Sequence, residues 1–425
     1  MEFLNKNIAQ GVDLISVPAS RFKTNEIAVS FALPLDAEKV SANALTVGML
    51  SRKSREYPDM KSLNKRLAEL YGAALSASVS KLGECQVLKL GVTALDDRFS
   101  LDGESIAFEC VKLLTSLIFQ PRFDENGCFY EDDVASEKRI LIEKIGAEMN
   151  EKRVYVLRKA EELMFENEPY GINRYGTVSQ VDGLTADDAL NAWKNILSSS
   201  RVLVTVVGNS DFDKISQHLK ECFAGVERNF ETLPSAVFVP ECKKVKEKME
   251  RIDVKQGKLV LGFRVNLKPD DILAPAMRTF CDVFGGGPYS KLFANVREKM
   301  SLCYYCSARY TRLKSYIMIQ CGCNEENMDK AVNEILNQLE EIKKGNFDEE
   351  LASSRLALRD ALLSVNDAPE ITENWYSNQI TDSIVKTPEM SVEENNSVTK
   401  EQVQKCASLL TLDTVYKLTS EKEAE

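Results

Sequence analysis

An order of elements that occurs twice constrains this chain more than any other feature. In the first half, apolar residues recur at every second position in "GVDLISVPA" and "EIAVSFALPL", the spacing of half-buried strands. Helical spacing follows in "ANALTVGMLSRKS" and "MKSLNKRLAELYG", then come two strands, "ALSASVSKL" and "CQVLKLGVTAL", and a helix through "ESIAFECVKLLTSLIF". The pattern predicts one long helix from about Asp133 to Met164, and the half closes on the strand "RVLVTVVGNSD". The second half opens with "KLVLGFRVNL", has helical spacing over 271–283 and 289–300, and pairs "CYYCSARY" with "SYIMIQCGC". Its next helix, "MDKAVNEILNQLEEIKKG", ends at "NFDEE" much as the first-half helix ends at "RFDEN", and another long helix begins near Glu350. A duplicated α+β unit accounts for this order better than two unrelated domains.

Length supports the division. A chain of 425 residues exceeds one ordinary hydrophobic core and is expected to form two domains of roughly 200 residues. The pattern places a first domain at 1–224, a linker at 225–250 and a second domain at 251–425. The linker "VERNFETLPSAVFVPECKKVKEKMER" has two prolines, weak periodicity and a basic run, which suits a solvated surface segment.

Charge and cysteine usage narrow the partners. A net charge of −11 with both signs interspersed argues against nucleic acid or an anionic membrane, since each demands a basic face. The start "MEFLNKNIAQGVDLISVPAS" lacks a basic segment followed by an unbroken apolar run, and nothing elsewhere approaches the ~18 apolar residues of a membrane span. Eleven cysteines, an odd number spread along a long chain, fit free thiols in a reducing compartment. A cytoplasmic location is the expectation.

The stretch "GGGPYSKLFANVREKMSLCYY", 285–305, places an arginine at 297 and a tyrosine seven residues later at 304. The run Gly285–Gly287 lacks the lysine and threonine of a P-loop and points to a tight turn with close backbone approach. Taken by chemistry alone, Arg297 is a surface residue and Tyr304 a strand residue on a core face.

The doubled order of elements, with "GNSD" closing the first unit and "SKLFANVREKMSLCYY" in the second, resembles the pitrilysin-type zinc peptidases, the inverzincins, over nearly the whole chain. The resemblance implies two tandem homologous α/β-sandwich domains of the metalloenzyme type shared by LuxS and mitochondrial processing peptidase, forming a clam-shaped shell. In that family a first-half helix carries H-x-x-E-H, whose two imidazoles share a helical face and one zinc while the glutamate activates water. Laid on "NALTVGMLSRKS", the histidine positions become Ala44 and Gly48 and the glutamate becomes Val47. The distal pattern falls on "EKRILIEKI", where Glu137 keeps the first acid, Lys144 stands at the ligand position, and Glu143 is one residue away. A catalytic zinc needs three protein ligands, so no metal and no cofactor are expected in this chain.

The same resemblance assigns Arg297 and Tyr304 to the substrate. Arginine offers a planar fork to a carbonyl or carboxylate, and a tyrosine hydroxyl can donate to an oxyanion. A substrate clamp without a metal implies a non-catalytic subunit. Its expected partner is a homologous H-x-x-E-H chain that supplies zinc for peptide hydrolysis, as in bacterial two-subunit peptidases, with a self-dimer also open. The rival reading is a purely structural or peptide-binding scaffold without a hydrolase partner. No G-x-S-x-G elbow supports another nucleophile.

Three smaller features remain. His218, the single histidine, lies on or near the polar face of "FDKISQHLKECF" and reads as a surface residue. Tyr170 and Arg174 in "PYGINRYGT" read as structural, with chamber lining as the alternative. "CYYC" and "CGC" place four thiols within 21 residues, which brings a four-cysteine zinc or iron–sulfur site to mind. On strands, however, Cys303 and Cys306 would face opposite sides while Cys321 and Cys323 share one, so buried packing thiols are the expectation.

Overall fold

The computed structural model describes residues 2–421. The alternating segments of the first half become β1 (Leu4–Ala9), β2 (Val12–Val17) and β3 (Thr24–Pro34). Helices α1 (Val40–Leu50) and α2 (Met60–Glu69) precede the hairpin of β4 (Ala74–Leu82) and β5 (Cys85–Leu95). Then come α3 (Ile106–Phe119), α4 (Glu131–Asn150), α5 (Lys152–Met164), α6 (Val178–Asp182), α7 (Ala186–Ser199), β6 (Arg201–Val207) and α8 (Phe212–Ala224). The second half begins with β7 (Lys246–Ile252), β8 (Lys258–Val265), α9 (Ala274–Gly285), β9 (Tyr305–Thr311) and β10 (Tyr316–Gly322). It ends with α10 (Met328–Lys343), α11 (Asp348–Ser364), α12 (Pro369–Ser377), α13 (Pro388–Asn396), α14 (Lys400–Ala407) and β11 (Leu410–Ser420).

Two sheets share one topology. The first has the order β1-β2-β6-β3-β5-β4 and the second β7-β11-β8-β10-β9. Strand β2 runs parallel to β6, and β7 runs parallel to β11. The remaining neighbours in both sheets are antiparallel. Strands β2, β6, β3, β5 and β4 therefore correspond in order to β7, β11, β8, β10 and β9, which is the duplication expected from the sequence. The basic run expected to be linker becomes, from Lys246 onward, the strand β7. Polar residues suit it because it lies at the edge of its sheet.

The units are not contiguous halves. One comprises 1–145, 172–235 and 364–388, and the other 146–171, 236–363 and 389–425. The predicted long helix is broken at Glu151, whose side chain accepts from the Arg153 backbone N–H and caps α5. Helix α5 packs on the second sheet, where Tyr155, Val156, Ala160 and Met164 meet Val260, Tyr316, Met318, Tyr416 and Leu418. Helix α12 does the converse, bringing Tyr376 against Ile15, Val17, Ala32, Val87 and Leu203 of the first sheet. Both central strands thus have two covered faces, which is why "KLVLGFRV" is buried at every position.

Buried ion pairs anchor each exchanged segment. Glu373 of α12, 1% exposed, pairs with Lys89 of β5 and accepts from the Thr205 hydroxyl at 2.6 Å. In the second unit Arg264 of β8 pairs with Glu168 at 2.7 Å and Asp413 at 3.0 Å, while Lys314 reaches Glu168 at 2.7 Å. Arg264 also donates to the Met164 carbonyl at 2.9 Å, satisfying the end of α5. Burial alone would raise Glu168, but hydrogen bonds and charges from Arg264 and Lys314 hold its carboxyl below the ordinary value.

Candidate functional site

Helix α1 is buried along its whole length. Ala44, Val47 and Gly48 offer no side-chain ligand atom, and the space a side chain at Gly48 would need is filled. A Cβ built there would lie 2.1 Å from Oε1 of Glu137 on α4. Glu137 is 2% exposed and receives the Arg52 Nε hydrogen bond at 2.7 Å from just beyond the C-terminus of α1. Burial raises the Glu137 carboxyl, with Arg52 and Lys144 opposing the rise. One turn earlier on α4, Asp133 pairs with Lys53. Glu143 is exposed. These residues do not fit a zinc ion: Glu137 faces Arg52, and the position that the resemblance assigns to the distal ligand is Lys144.

The second region is built around an irregular turn. The Met300 N–H donates to the Asn295 carbonyl at 3.0 Å, five residues back, so Phe293–Lys299 forms a π-helical turn, a feature frequent at functional sites. Gly285 lets the end of α9 approach β9, since a Cβ there would meet the Ala308 backbone nitrogen at 2.6 Å. This is the close approach expected of the glycine run. Ser301 adopts φ 50° and reverses the chain, and Tyr304 N–H donates to the Gly322 carbonyl at 2.8 Å. Arg297 and Tyr304 both line a pocket of ≈ 370 Å³ with Glu298, Cys303, Asn324 and Asn327. The Arg297 guanidinium lies 4.4 Å from the Phe293 ring centroid and 3.6 Å from Glu298. Tyr304 is 63% exposed, which corrects its chemical reading as a core-facing strand residue: β9 starts only at Tyr305.

The same late start corrects the thiol geometry. Cys303 precedes the strand, so alternation does not govern it, and its sulfur lies within 4.8 Å of those of Cys306 and Cys321. Cys306 and Cys321 face each other across β9 and β10. Hydrogen bonds from Cys306 and Cys321, aided by the Arg297 charge, hold the Cys303 thiol well below the ordinary thiol value against desolvation. Cys306 and Cys321 are correspondingly pushed up, each through its contact with Cys303 first.

Residues 183–354 match the family described as the peptidase M16 inactive domain. The probable inactive metalloprotease YmfF of Bacillus subtilis (strain 168) is 29% identical over 419 residues, covering 98% of each chain. Part of the chain thus resembles an inactive peptidase domain, and nearly its whole length resembles a probable inactive metalloprotease. A conserved protein from Enterococcus faecalis V583 is similar to this chain with a TM-score of 0.89 and 26% identity over 100% of both. The peptidase M16 inactive domain from Pseudomonas fluorescens, at 14% identity over 100% of both chains, shares the fold with a TM-score of 0.78.

Other candidate residues have structural surroundings. His218 is half-buried rather than on the surface: its Nε2 lies 2.8 Å from the Thr115 hydroxyl and its ring meets the edge of Phe108. Desolvation lowers its pKa. Tyr170 is 5% exposed, with its hydroxyl 3.0 Å from that of Tyr316 and its ring against Phe165. The Arg174 guanidinium stacks on Tyr175, and its carbonyl accepts from Gln86. Sequence reasoning missed Arg52, although a cation one turn beyond the degenerate motif was a readable signal.

Proposed function

We propose that this chain is the zinc-less subunit of a two-subunit peptidase, pairing with a homologous H-x-x-E-H chain and presenting Arg297 and Tyr304 to a peptide. One observation carries the reading: two residue types suited to substrate and oxyanion line one accessible pocket, while Ala44, Val47 and Gly48 hold nothing that could bind metal. Arg297 would hold a peptide carbonyl or carboxylate through charge-assisted hydrogen bonds, each worth roughly 1.5–3 kcal/mol. Tyr304 would donate its hydroxyl proton to the oxyanion that develops when the carbonyl is attacked. The metal and its water belong to the partner.

The inactive status of a relative that covers nearly the whole chain supports a role outside catalysis. Among the described residues no helix is long and apolar enough to cross a membrane, and we place the pair in the cytoplasm.

The test is affinity capture of the tagged chain from its own organism, followed by mass spectrometry of what co-purifies in stoichiometric amount. A relative of similar length bearing H-x-x-E-H, whose peptidase activity requires this chain, is the expected result. Recovery of the chain alone or as a self-dimer overturns the reading in favour of a scaffold.

A further inference from the structure

Eight of the eleven cysteines do not belong to the group whose sulfurs converge, and several of them, such as Cys110, Cys281 and Cys406, pack as small hydrophobes within the two cores. Cys303, Cys306 and Cys321 also belong to the second core but differ from the others in converging. Their sulfurs lie mutually within 4.8 Å, and among the described residues they are the only such group of three metal-binding side chains. A tetrahedral site with zinc–sulfur bonds of about 2.3 Å places its sulfurs about 3.8 Å apart, so rotamer adjustment of less than a bond length closes the three around one ion. The spacing Cys303-x2-Cys306 is that of structural zinc sites. Cys323 is fully buried just beyond the end of β10, and its thiol interacts with that of Cys321.

The backbone works to produce this convergence. Ser301 holds a left-handed φ of 50° without being glycine, a conformation that persists where surrounding structure enforces it. Leu302 N–H donates to the Val296 carbonyl at 3.0 Å and Tyr304 N–H to Gly322 at 2.8 Å. These bonds aim Cys303 inward at the β9–β10 pair while leaving it on the wall of the Arg297 pocket. The pocket thus supplies an entry path, and the Arg297 guanidinium offsets the negative charge of a thiolate cluster.

We propose that Cys303, Cys306 and Cys321 form a binding site for a thiophilic divalent cation, Zn2+ foremost, with Cys323 nearest to the fourth corner. Each thiol that becomes a ligand releases one proton to solvent, and no redox partner is required. The site is separate from the degenerate H-x-x-E-H region, which lies on other elements. Its consequence is positional: the ion ties the loop bearing Tyr304 to strands β9 and β10. The inference concerns metal binding only and stands whether or not a hydrolase partner exists.

The experiment is titration of the full-length reduced chain with Co2+ alone, followed by displacement with Zn2+. One equivalent should bind with thiolate-to-cobalt charge-transfer absorption and tetrahedral ligand-field bands, and one equivalent of Zn2+ should remove both. Cys303→Ser and Cys321→Ser should each lose the charge-transfer band, whereas Cys128→Ser, on the other unit, should retain it. Because Cys321 is fully buried and its variant could misfold, the native chain provides the decisive arm. Failure of the native chain to bind one equivalent overturns the proposal, as does a charge-transfer band unchanged in folded Cys303→Ser.

Discussion

The carboxylate of Glu137 occupies the space beside Gly48, 2.1 Å from where a Cβ would stand. A glycine in a helix interior costs about 1 kcal/mol relative to alanine, and here that cost accommodates a buried acid. Gly48→Ala should therefore destabilise the chain despite the better helix former, because overpacking of about 1–3 kcal/mol exceeds the propensity gain. In a Glu137→Ala background the same change should become neutral or stabilising. Urea unfolding of the four variants measures the sign reversal, and its absence would refute the packing account.

Arg52 and Glu137 also predict that histidines alone will not create a zinc site on α1. Ala44→His combined with Gly48→His should bind no stoichiometric Zn2+ by equilibrium dialysis, since the Glu137 carboxylate and the Arg52 charge remain in place. The comparison is made in a chain whose Cys303 and Cys321 are replaced by serine. Tight one-to-one binding there would contradict this.

The exchanged helix α12 depends on Lys89 and Glu373. Removing one partner of a buried pair leaves an uncompensated charge, so Glu373→Ala should cost about 3–5 kcal/mol. The double replacement Lys89→Met with Glu373→Leu should recover much of that loss. Loss of α12 amide protection in Glu373→Ala, ahead of global unfolding, would be seen by hydrogen exchange. A double-mutant cycle with no coupling would exclude the pair as the anchor.

Glu168 gives an acid-side dependence of known sign. Its folded pKa lies below the ordinary 4.5, so the unfolded chain binds the proton more readily and the stabilisation is present above pH 4.5. It is lost as pH falls through the depressed folded value. Glu168→Gln should flatten the fall in stability over that window, while leaving the slope above about pH 5 unchanged. Denaturant midpoints collected across the pH series decide it.

Arg297 and Tyr304 are accessible, so Arg297→Ala and Tyr304→Phe should each change stability by no more than about 0.5 kcal/mol. In an assembled active complex, loss of the Tyr304 donor should lower turnover about 100-fold or more. Unchanged turnover in both variants would remove them from the substrate site.

Much of the fold was legible because its signal is local. Alternation in "EIAVSFALPL" and the helical stripe of "MDKAVNEILNQLEEIKKG" mark the elements that form β3 and α10. The run "CKKVKEKMER" was not legible as a strand, since an edge strand needs little apolar surface and β7 gains its hydrogen bonds from β11, far away in sequence. Arg297 and Tyr304 were singled out through a motif resemblance, and the structure places both on the wall of one pocket. Cys303 was misplaced because strand alternation was extended two residues too far.

The sequence by itself determined the duplication of the fold and the absence of H-x-x-E-H ligand atoms, because periodicity and residue identity are properties of the chain read in order. Tertiary structure alone decided that α5 covers the second sheet and α12 the first, that Glu137 lies against Gly48, and that three thiols meet. An apolar stripe records which face of a helix must be buried but not which surface buries it, since the hydrophobic effect has no direction of its own. The choice between surfaces is made by long-range pairs such as Lys89 with Glu373 and Arg264 with Glu168, whose partners meet only once the chain has folded.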